Sequence, residues 1–475
     1  MKYDVCVIGA GPGGYVAAIR AGQLGLKVAI IEREYMGGVC LNVGCIPSKA
    51  MISAAKFFDQ TKNGHGTDMG ITVGSVSVDL PKLKTWKQSV SDKMAGGVEQ
   101  LLKGNGVEII RGEAEFKDAK TLMVGEKQVE ADNYIIATGS RPIELPAFKY
   151  DEETVMSSTG ALDLEKLPKK LVVIGGGYIG LEISFYLKKL GTEVVVLEAS
   201  DKLLGGICDE EVHKQLQRSV KKTGIEVNYK AFAKSWKKAG KGVEVTAEVN
   251  GKSETFKADK ILVTVGRLPN SDQMNLKEIG LEIDDRGFVT VDAQRRTNLP
   301  GIWCIGDLAC QPMLAHKASH EGVLVAEVIS GQNRVFDAKT VPAVIFTSPE
   351  IASVGVTEEE AKESGREYIT GKFPFGANGK AVSLQETEGF VKMIADKETH
   401  ALMGVHIIGP QASNLISEAA LAMEMGATLE DLALTIHPHP TLGETLMECA
   451  EVTLGHGIHV MAPKKRPSRA QEANA

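Results

Sequence analysis

The chain has 475 residues, too many for one ordinary domain, and 43% apolar with 24% charged residues is the composition of a globular protein that buries several cores. A formal net charge of -7 argues against a nucleic-acid surface. Seven scattered cysteines exclude a secreted disulfide framework.

The N-terminus runs straight into an apolar strand, Tyr3 to Ile8, with no charged n-region, h-region and cleavage site. No apolar stretch nears the roughly 20 residues of a membrane helix. A cytoplasmic protein without a membrane partner is expected. The strand leads into Gly9-Ala10-Gly11-Pro12-Gly13-Gly14, a helical run, and Val28-Ala29-Ile30-Ile31-Glu32. Glycines at Gly9, Gly11 and Gly14 let backbone N–H groups approach a pyrophosphate at a helix N-terminus, and Glu32 is placed to accept from a ribose. Read without the rest of the chain, this is also an ordinary α/β turn.

Cys40 and Cys45 follow, in Gly37-Gly38-Val39-Cys40-Leu41-Asn42-Val43-Gly44-Cys45-Ile46-Pro47-Ser48-Lys49. Cytosolic thiols are kept reduced, so a close pair there is redox-active, metal-binding or simply two inert buried thiols. A metal needs about four ligands, and no second pair is evident. A disulfide needs Cβ atoms within about 3.5–4.5 Å, which positions five apart on a regular helix do not reach. Gly44 and Pro47 are expected to distort that turn, Pro47 by removing the N–H that would bond Val43. Lys49, one turn after Cys45, would bring positive charge to a thiolate, unless it is a surface lysine.

A helix is predicted over about Val78 to Lys103, short strands around Val107 to Ile110, and a strand Tyr134 to Ala137 that ends in Thr138-Gly139-Ser140-Arg141-Pro142. The opening pattern then repeats: Leu171 to Ile174, Gly175-Gly176-Gly177-Tyr178-Ile179-Gly180, a helical run, and Val194 to Glu198. From first glycine to acid the interval is 23 positions both times. Two such units imply two dinucleotide sites. Glu198 would repel a 2′-phosphate, and no arginine stands beside it, so NAD(H) is preferred over NADP(H). Lys202 is the nearest cation. Glu182, within the second helix, points where a nicotinamide would enter, or is surface charge.

The strand-and-turn pattern recurs as Ile261 to Pro269 around Gly266, and Ile302 to Ile305 ends at Gly306-Asp307. From Val341 the texture changes to strands (Ala343 to Phe346, Phe390 to Ile394, Ala401 to Ile408) and a helix from about Ser413 to Gly426, a separate α+β domain. Within it His437-Pro438-His439-Pro440-Thr441-Leu442-Gly443-Glu444 is held out of a helix by its prolines. Glu444 on Nδ1–H would leave Nε2 of His439 free to take a thiol proton; a structural His-Pro loop is the plainer reading. The basic run from Ala462 looks like a solvated tail.

Together these motifs resemble the flavin-dependent pyridine-nucleotide disulfide oxidoreductases over nearly the whole chain. Within them the likeness is greatest to the branch that oxidises dihydrolipoamide as the shared E3 component of 2-oxo acid dehydrogenase complexes. The Gly37–Lys49 segment, Ala137-Thr138-Gly139, the second glycine motif, Gly306-Asp307 with Met313-Leu314-Ala315-His316-Lys317-Ala318, and the His439/Glu444 end carry it. The resemblance implies an α/β fold of two Rossmann-like dinucleotide-binding domains plus a C-terminal α+β dimerisation domain. Its boundaries would be 1–149 (FAD), 150–270 (NAD), 271–341 (central), 342–462 (interface) and a tail, 463–475. It implies tightly bound, non-covalent FAD at Gly9, Gly11, Gly14, Glu32, Lys49, Ala114, Ala137, Thr138, Gly139, Asp307 and Ala315. Glu32 would meet the adenosine ribose, Ala114 the adenine, Asp307 the ribitol, and Ala315 and Lys49 the isoalloxazine. NAD+/NADH would bind at Gly175 to Gly180, Glu198 and Gly266, and Lys49 would pair with Glu182.

The implied chemistry is a Cys40–Cys45 disulfide, Cys40 outward and Cys45 toward the flavin, with His439 as base oriented by Glu444 and supplied across a homodimer. Lipoyl domains and the E2 core would be partners, with glycine cleavage a further setting. No metal site is expected. Gly443, where serine is common, and His320, in a usually acidic stretch, depart from the family pattern without touching a role. Two competitors remain. Against a sister reductase stand Glu198 (NADPH), Ser48 before Lys49 (glutathione) and the lack of a C-terminal cysteine pair (mercury). Against a non-catalytic flavoprotein scaffold stands the retention of both cysteines, His439 and Glu444.

Overall fold

The computed structural model describes residues 2–62 and 68–461; the expected tail, 463–475, lies outside the described residues. The chain forms two compact units, Met1–Asp201 with Ile225–Asp337, and Lys202–Gly224 with Ala338–Ala475.

The first unit holds both glycine-turn repeats. Strand β1 (Lys2–Ile8), helix α1 (Pro12–Gln23) and strand β2 (Val28–Glu32) form the first. β1 lies between β2 and the strand Lys127–Ile136, parallel to both, and Glu108–Arg111 and Ile302–Cys304 extend the parallel layer at its two sides. Val5, Val7, Ile30 and Ile135 are fully buried with Ala17, Ala18 and Ala21 of α1, which is why these strands read as unbroken apolar runs. The second repeat builds a five-stranded parallel sheet in the order Glu226–Asn228, Glu193–Leu197, Lys170–Ile174, Lys260–Val263, Val155–Met156. A three-stranded antiparallel meander over 231–258, which no expectation covered, packs Val243, Val245, Ala247 and Val249 into the core beneath that sheet.

The second unit is a five-stranded antiparallel sheet in the order Ala343–Ile345, Glu350–Gly355, Leu402–Gly409, Phe390–Asp396, Tyr368–Pro374, with helices Ala412–Met425 and Glu444–Thr453. The helix Glu210–Thr223 belongs to this unit, although its sequence lies inside the expected second nucleotide domain. Lys392, 2% exposed in the middle of an apolar strand, explains this. Its ammonium meets both oxygens of Asp209 at 2.9 and 3.0 Å, Glu211 at 3.3 Å, and Glu358.

One segment departs from the expectation about apolar stretches. Gly38–Lys62, taken as one, is long and apolar enough to cross a membrane, holding an 18-residue window with a mean hydropathy of 1.2. It is weak support for a span, because the helix is broken in two: α2 (Gly38–Asn42) ends before Val43 and α3 (Cys45–Lys62) begins after Gly44.

Candidate functional site

The two glycine turns match down to single hydrogen bonds. Gly9 and Gly175 hold φ of +98° and +102°, where a side chain would strike the backbone carbonyls of Ala137 and Thr264 at 2.5 Å in each case. Gly9 N–H donates to Ile31 at 2.8 Å and Gly175 N–H to Leu197 at 2.9 Å. Glu32 Oε2 accepts from Ala10 N–H at 2.7 Å and Oε1 from Glu34 N–H at 2.7 Å. Glu198 does the same with Gly176 at 2.6 Å and Ser200 at 2.7 Å. Each acid therefore braces its own turn. Lys202 is engaged by Glu210 at 2.8 Å.

Beside the first turn a pocket is lined by Gly9, Glu32, Ala114, Thr138, Gln273 and Met274. Thr138 Oγ1 is buried there without a hydrogen-bond partner, an atom whose desolvation is uncompensated until a ligand meets it. A Cβ on Gly11, at the head of α1, would meet nothing within 4 Å, which leaves the helix N-terminus open to an anion. An adenine dinucleotide fits these features. Farther along, Asp307 lies in the turn Gly306–Leu308 and accepts from the Ser140 hydroxyl at 2.6 Å, and Ala315 opens the helix Ala315–Ile329.

Cys40 lies in α2 and Cys45 is the first residue of α3; both are thiols, Cys40 half-buried and Cys45 more exposed. The break between the helices, rather than Pro47, lets them meet. Val43 leaves helical geometry at φ −135°, and a Cβ on Gly44 would stand 2.9 Å from the Val39 carbonyl oxygen. Pro47 sits in the first turn of α3, where a missing N–H costs nothing. The Cys45 thiol is pulled down to about 7, first by the hydrogen bond from Cys40, against desolvation, then by the charge of Lys49. Cys40, as the donor, is pushed up. Lys49 Nζ is 2.7 Å from Glu182 Oε2. Tyr178, first residue of the helix Tyr178–Leu190, lies within electrostatic reach of Arg267, Asp307, Glu182 and Cys45. Among the described residues no group of three or more His, Cys, Asp or Glu side chains is placed to hold a metal, so the cysteine pair belongs to no such group.

In the second unit His439 Nδ1 is 2.8 Å from Glu444 Oε1, and Glu444 Oε2 accepts from Thr441 N–H at 2.8 Å. The His439 side chain is 78% exposed, which leaves its other nitrogen to solvent. Burial raises the Glu444 carboxyl, but the Thr441 N–H and His439 outweigh it and hold the group below its usual range.

Residues 3–322 match the family described as pyridine nucleotide-disulphide oxidoreductase, and residues 341–450 its dimerisation domain. Dihydrolipoyl dehydrogenase of Bacillus subtilis (strain 168) is 52% identical over 466 residues, covering 97% of this chain and 98% of that protein. The one from Halobacterium salinarum is 46% identical over 466 residues, covering 96% and 98%. Among solved structures, LpdA from Mycobacterium tuberculosis superposes with a TM-score of 0.87 at 28% identity, covering 94% of this chain and 99% of that one.

The chain belongs to the dihydrolipoyl dehydrogenases. It is an FAD-dependent oxidoreductase using NAD+/NADH, with the two-nucleotide-domain fold of its family, and the matched dimerisation domain makes the dihydrolipoyl dehydrogenase a homodimer. Three residues near its nucleotide sites escaped sequence reasoning as groups with a role. Arg267 donates to Ser140, and Ser140 donates to Asp307. Glu321, fully buried against Arg295 at 3.0 Å and Lys317 at 3.3 Å, accepts from Gly306 N–H at 2.6 Å and so holds the turn that carries Asp307. The available signals were a charged residue directly after Gly266 and an acid in an apolar helix.

Proposed function

We propose that this dihydrolipoyl dehydrogenase serves 2-oxo acid dehydrogenase complexes, oxidising lipoyl groups on the lipoyl domains of an E2 core, with glycine cleavage as a further setting. The observation that carries the site is the Lys49–Glu182 pair, which ties the helix of Cys45 to the helix opened by the second glycine turn. The sequence boundaries for FAD, NAD, central and interface segments are part of this reading. Gln273 and Met274, beside Glu32 and Ala114 in one pocket, support the central segment's share in the flavin site. A cytoplasmic location suits a chain whose Cys6, Cys208, Cys304 and Cys449 are buried free thiols.

In the oxidised enzyme Cys40 and Cys45 are joined. The partner's His439, its ring held at Nδ1 by the partner's Glu444, takes a proton from one lipoyl thiol at Nε2. The resulting thiolate attacks Cys40 Sγ, and Cys45 leaves as a thiolate. The charge of Lys49 lowers the Cys45 thiol, and a thiol of lower pKa is the faster leaving group. The second lipoyl thiol attacks the lipoyl sulfur bonded to Cys40 and passes its proton to the departing Cys40 sulfur, which closes the lipoyl disulfide and frees the Cys40 thiol. Lys49 steadies the Cys45 anion, and Glu182 holds Lys49 in place. Bound FAD supplies the two-electron relay from the dithiol to NAD+. Gly9, Gly11 and Gly14 with Glu32, Ala114, Ala137, Thr138, Gly139, Asp307 and Ala315 would hold it. Gly175 to Gly180, Glu198 and Gly266 would hold the NAD+.

The test is steady-state turnover of free dihydrolipoamide with NAD+ and NADP+ in parallel, and of glutathione disulfide with NADPH. NAD+-linked dihydrolipoamide oxidation should dominate. Faster use of NADP+ would overturn the nucleotide assignment, and preferred reduction of glutathione disulfide the substrate.

A further inference from the structure

Gly139 and Gly266 each lie three positions past equivalent strands of the two repeats, Lys127–Ile136 and Lys260–Val263, and the chain that follows each is drawn into one ribbon. Ser140–Pro142 and Arg267–Pro269 pair antiparallel, with Arg267 opposite Pro142 and Pro269 opposite Ser140. Ile143 N–H donates to the Gly266 carbonyl at 3.1 Å and Asn270 N–H to that of Gly139 at 3.0 Å.

One side chain crosses this ribbon twice. Arg267 Nε donates to Ser140 Oγ at 2.7 Å and Nη2 to the Ser140 carbonyl at 2.6 Å. Ser140 is 5% exposed, and its Oγ lies 2.6 Å from Asp307 Oδ2. A guanidinium only donates and a hydroxyl has one proton, so that proton goes to the carboxylate. The order Arg267 to Ser140 to Asp307 is therefore fixed. Glu321, on Gly306 N–H, holds the same turn from its other side. A carboxylate oxygen engaged in this way stops rotating, which leaves its partner oxygen at a set angle for a ligand hydroxyl.

We propose that Arg267 is a positioning residue for the flavin: through Ser140 it orients Asp307, so a residue on the strand leaving the NAD half helps to hold FAD. This rests on the reading that Asp307 meets the ribitol. It predicts that Arg267 governs flavin retention rather than NAD+ affinity, although it directly follows the turn assigned to NAD+.

The experiment compares holoenzyme with Asp307→Ala, Ser140→Ala, Arg267→Met, Arg267→Lys and the Ser140→Ala/Arg267→Met double variant. FAD release on dilution is followed by the recovery of flavin fluorescence, KM for NAD+ is measured alongside, and circular dichroism checks the fold. Ser140→Ala removes one oxygen and leaves the ribbon's backbone bonds in place, which keeps the test open if Arg267→Met folds poorly. Ser140→Ala and Arg267→Met should each weaken FAD retention about tenfold or more, as expected for hydrogen bonds to charged groups. The double variant should be no weaker than Arg267→Met, because both break one chain. Arg267→Lys, which can make one of the two bonds, should recover part of the loss, and KM for NAD+ should stay within about twofold of the parent. Loss of FAD by Asp307→Ala with full retention in Ser140→Ala and Arg267→Met would overturn the relay. So would a raised KM for NAD+ with unchanged flavin retention, or losses that add in the double variant. Full retention in Asp307→Ala would instead overturn the assignment of Asp307 to the flavin.

Discussion

Lys49 Nζ lies 2.7 Å from Glu182 Oε2, and the two act on Cys45 with opposite sign: the lysine lowers its thiol, the carboxylate raises it. The hydrogen bond from Cys40 is the largest influence and also lowers it. Alkylation of the reduced enzyme by iodoacetamide should therefore rise with pH through an inflection near 7. Lys49→Met and Cys40→Ala should move the inflection up, and Glu182→Gln down. At fixed pH below the inflection, each unit of upward movement lowers the thiolate fraction roughly tenfold. If Glu182→Gln moved it up, the carboxylate's hold on the lysine would outweigh the effect of its own charge.

His439 is exposed and its Nδ1 is held by Glu444, the arrangement of a base that must meet an external thiol. His439→Gln should lower dihydrolipoamide turnover by about 10²–10⁴-fold. Glu444→Gln should cost less, because an amide oxygen still accepts from a ring N–H. Hydride exchange between NADH and an oxidised nicotinamide analogue needs no lipoyl thiol and should be unchanged in both. A loss there would mean that the substitution had disturbed the nucleotide sites.

The parts legible in the sequence were those set by short-range geometry. A glycine forced to positive φ, a helix N-terminus and an acid 23 positions on are local requirements, and both copies appear, each acid on the backbone N–H groups of its own turn. The meander was also written locally, since Val243, Val245, Ala247 and Val249 alternate with polar residues. The helix after Asp209 has its cap, its acidic first turn and its closing Gly224. Its membership of the C-terminal unit depends on Lys392, which is 183 positions away and has no local mark. The Arg267–Ser140–Asp307 chain spans 127 and 167 positions and was hidden for the same reason. At the cysteines the sequence placed the distortion at Gly44 and Pro47 together, and of the two the close approach of Gly44 to Val39 decides it.

Glu198 has two tasks, bracing Gly176 and Ser200 and standing at the expected ribose. Glu198→Gln keeps one acceptor and removes the charge. Loss of charge-assisted bonds worth about 1.5–3 kcal/mol should raise KM for NAD+ roughly 10–100-fold. KM for NADP+ should fall relative to it, because repulsion of the 2′-phosphate disappears. Parallel initial-rate measurements with both nucleotides check this. A variant with an unchanged ratio of the two would show that Glu198 only braces the turn.

Lys392 is 2% exposed and Asp209 1%, so their pair is cut off from water. Asp209 also caps the helix Glu210–Thr223 through Glu211 N–H at 3.0 Å and accepts from Glu358 N–H at 3.2 Å. The ammonium lies among Asp209, Glu211 and Glu358, and the carboxyls of Asp209 and Glu211 are held below their usual range against the opposing effect of burial. Lys392→Met would leave a buried carboxylate without its counter-ion, a change that typically costs about 3–5 kcal/mol. Asp209→Asn added to it removes that charge and still caps the helix through its amide oxygen. The urea unfolding midpoint of the holoenzyme should thus fall sharply for Lys392→Met and recover in part with Asp209→Asn. If the second substitution lowered the midpoint further, the stranded charge would not be the source of the loss, and the packed lysine stem would be.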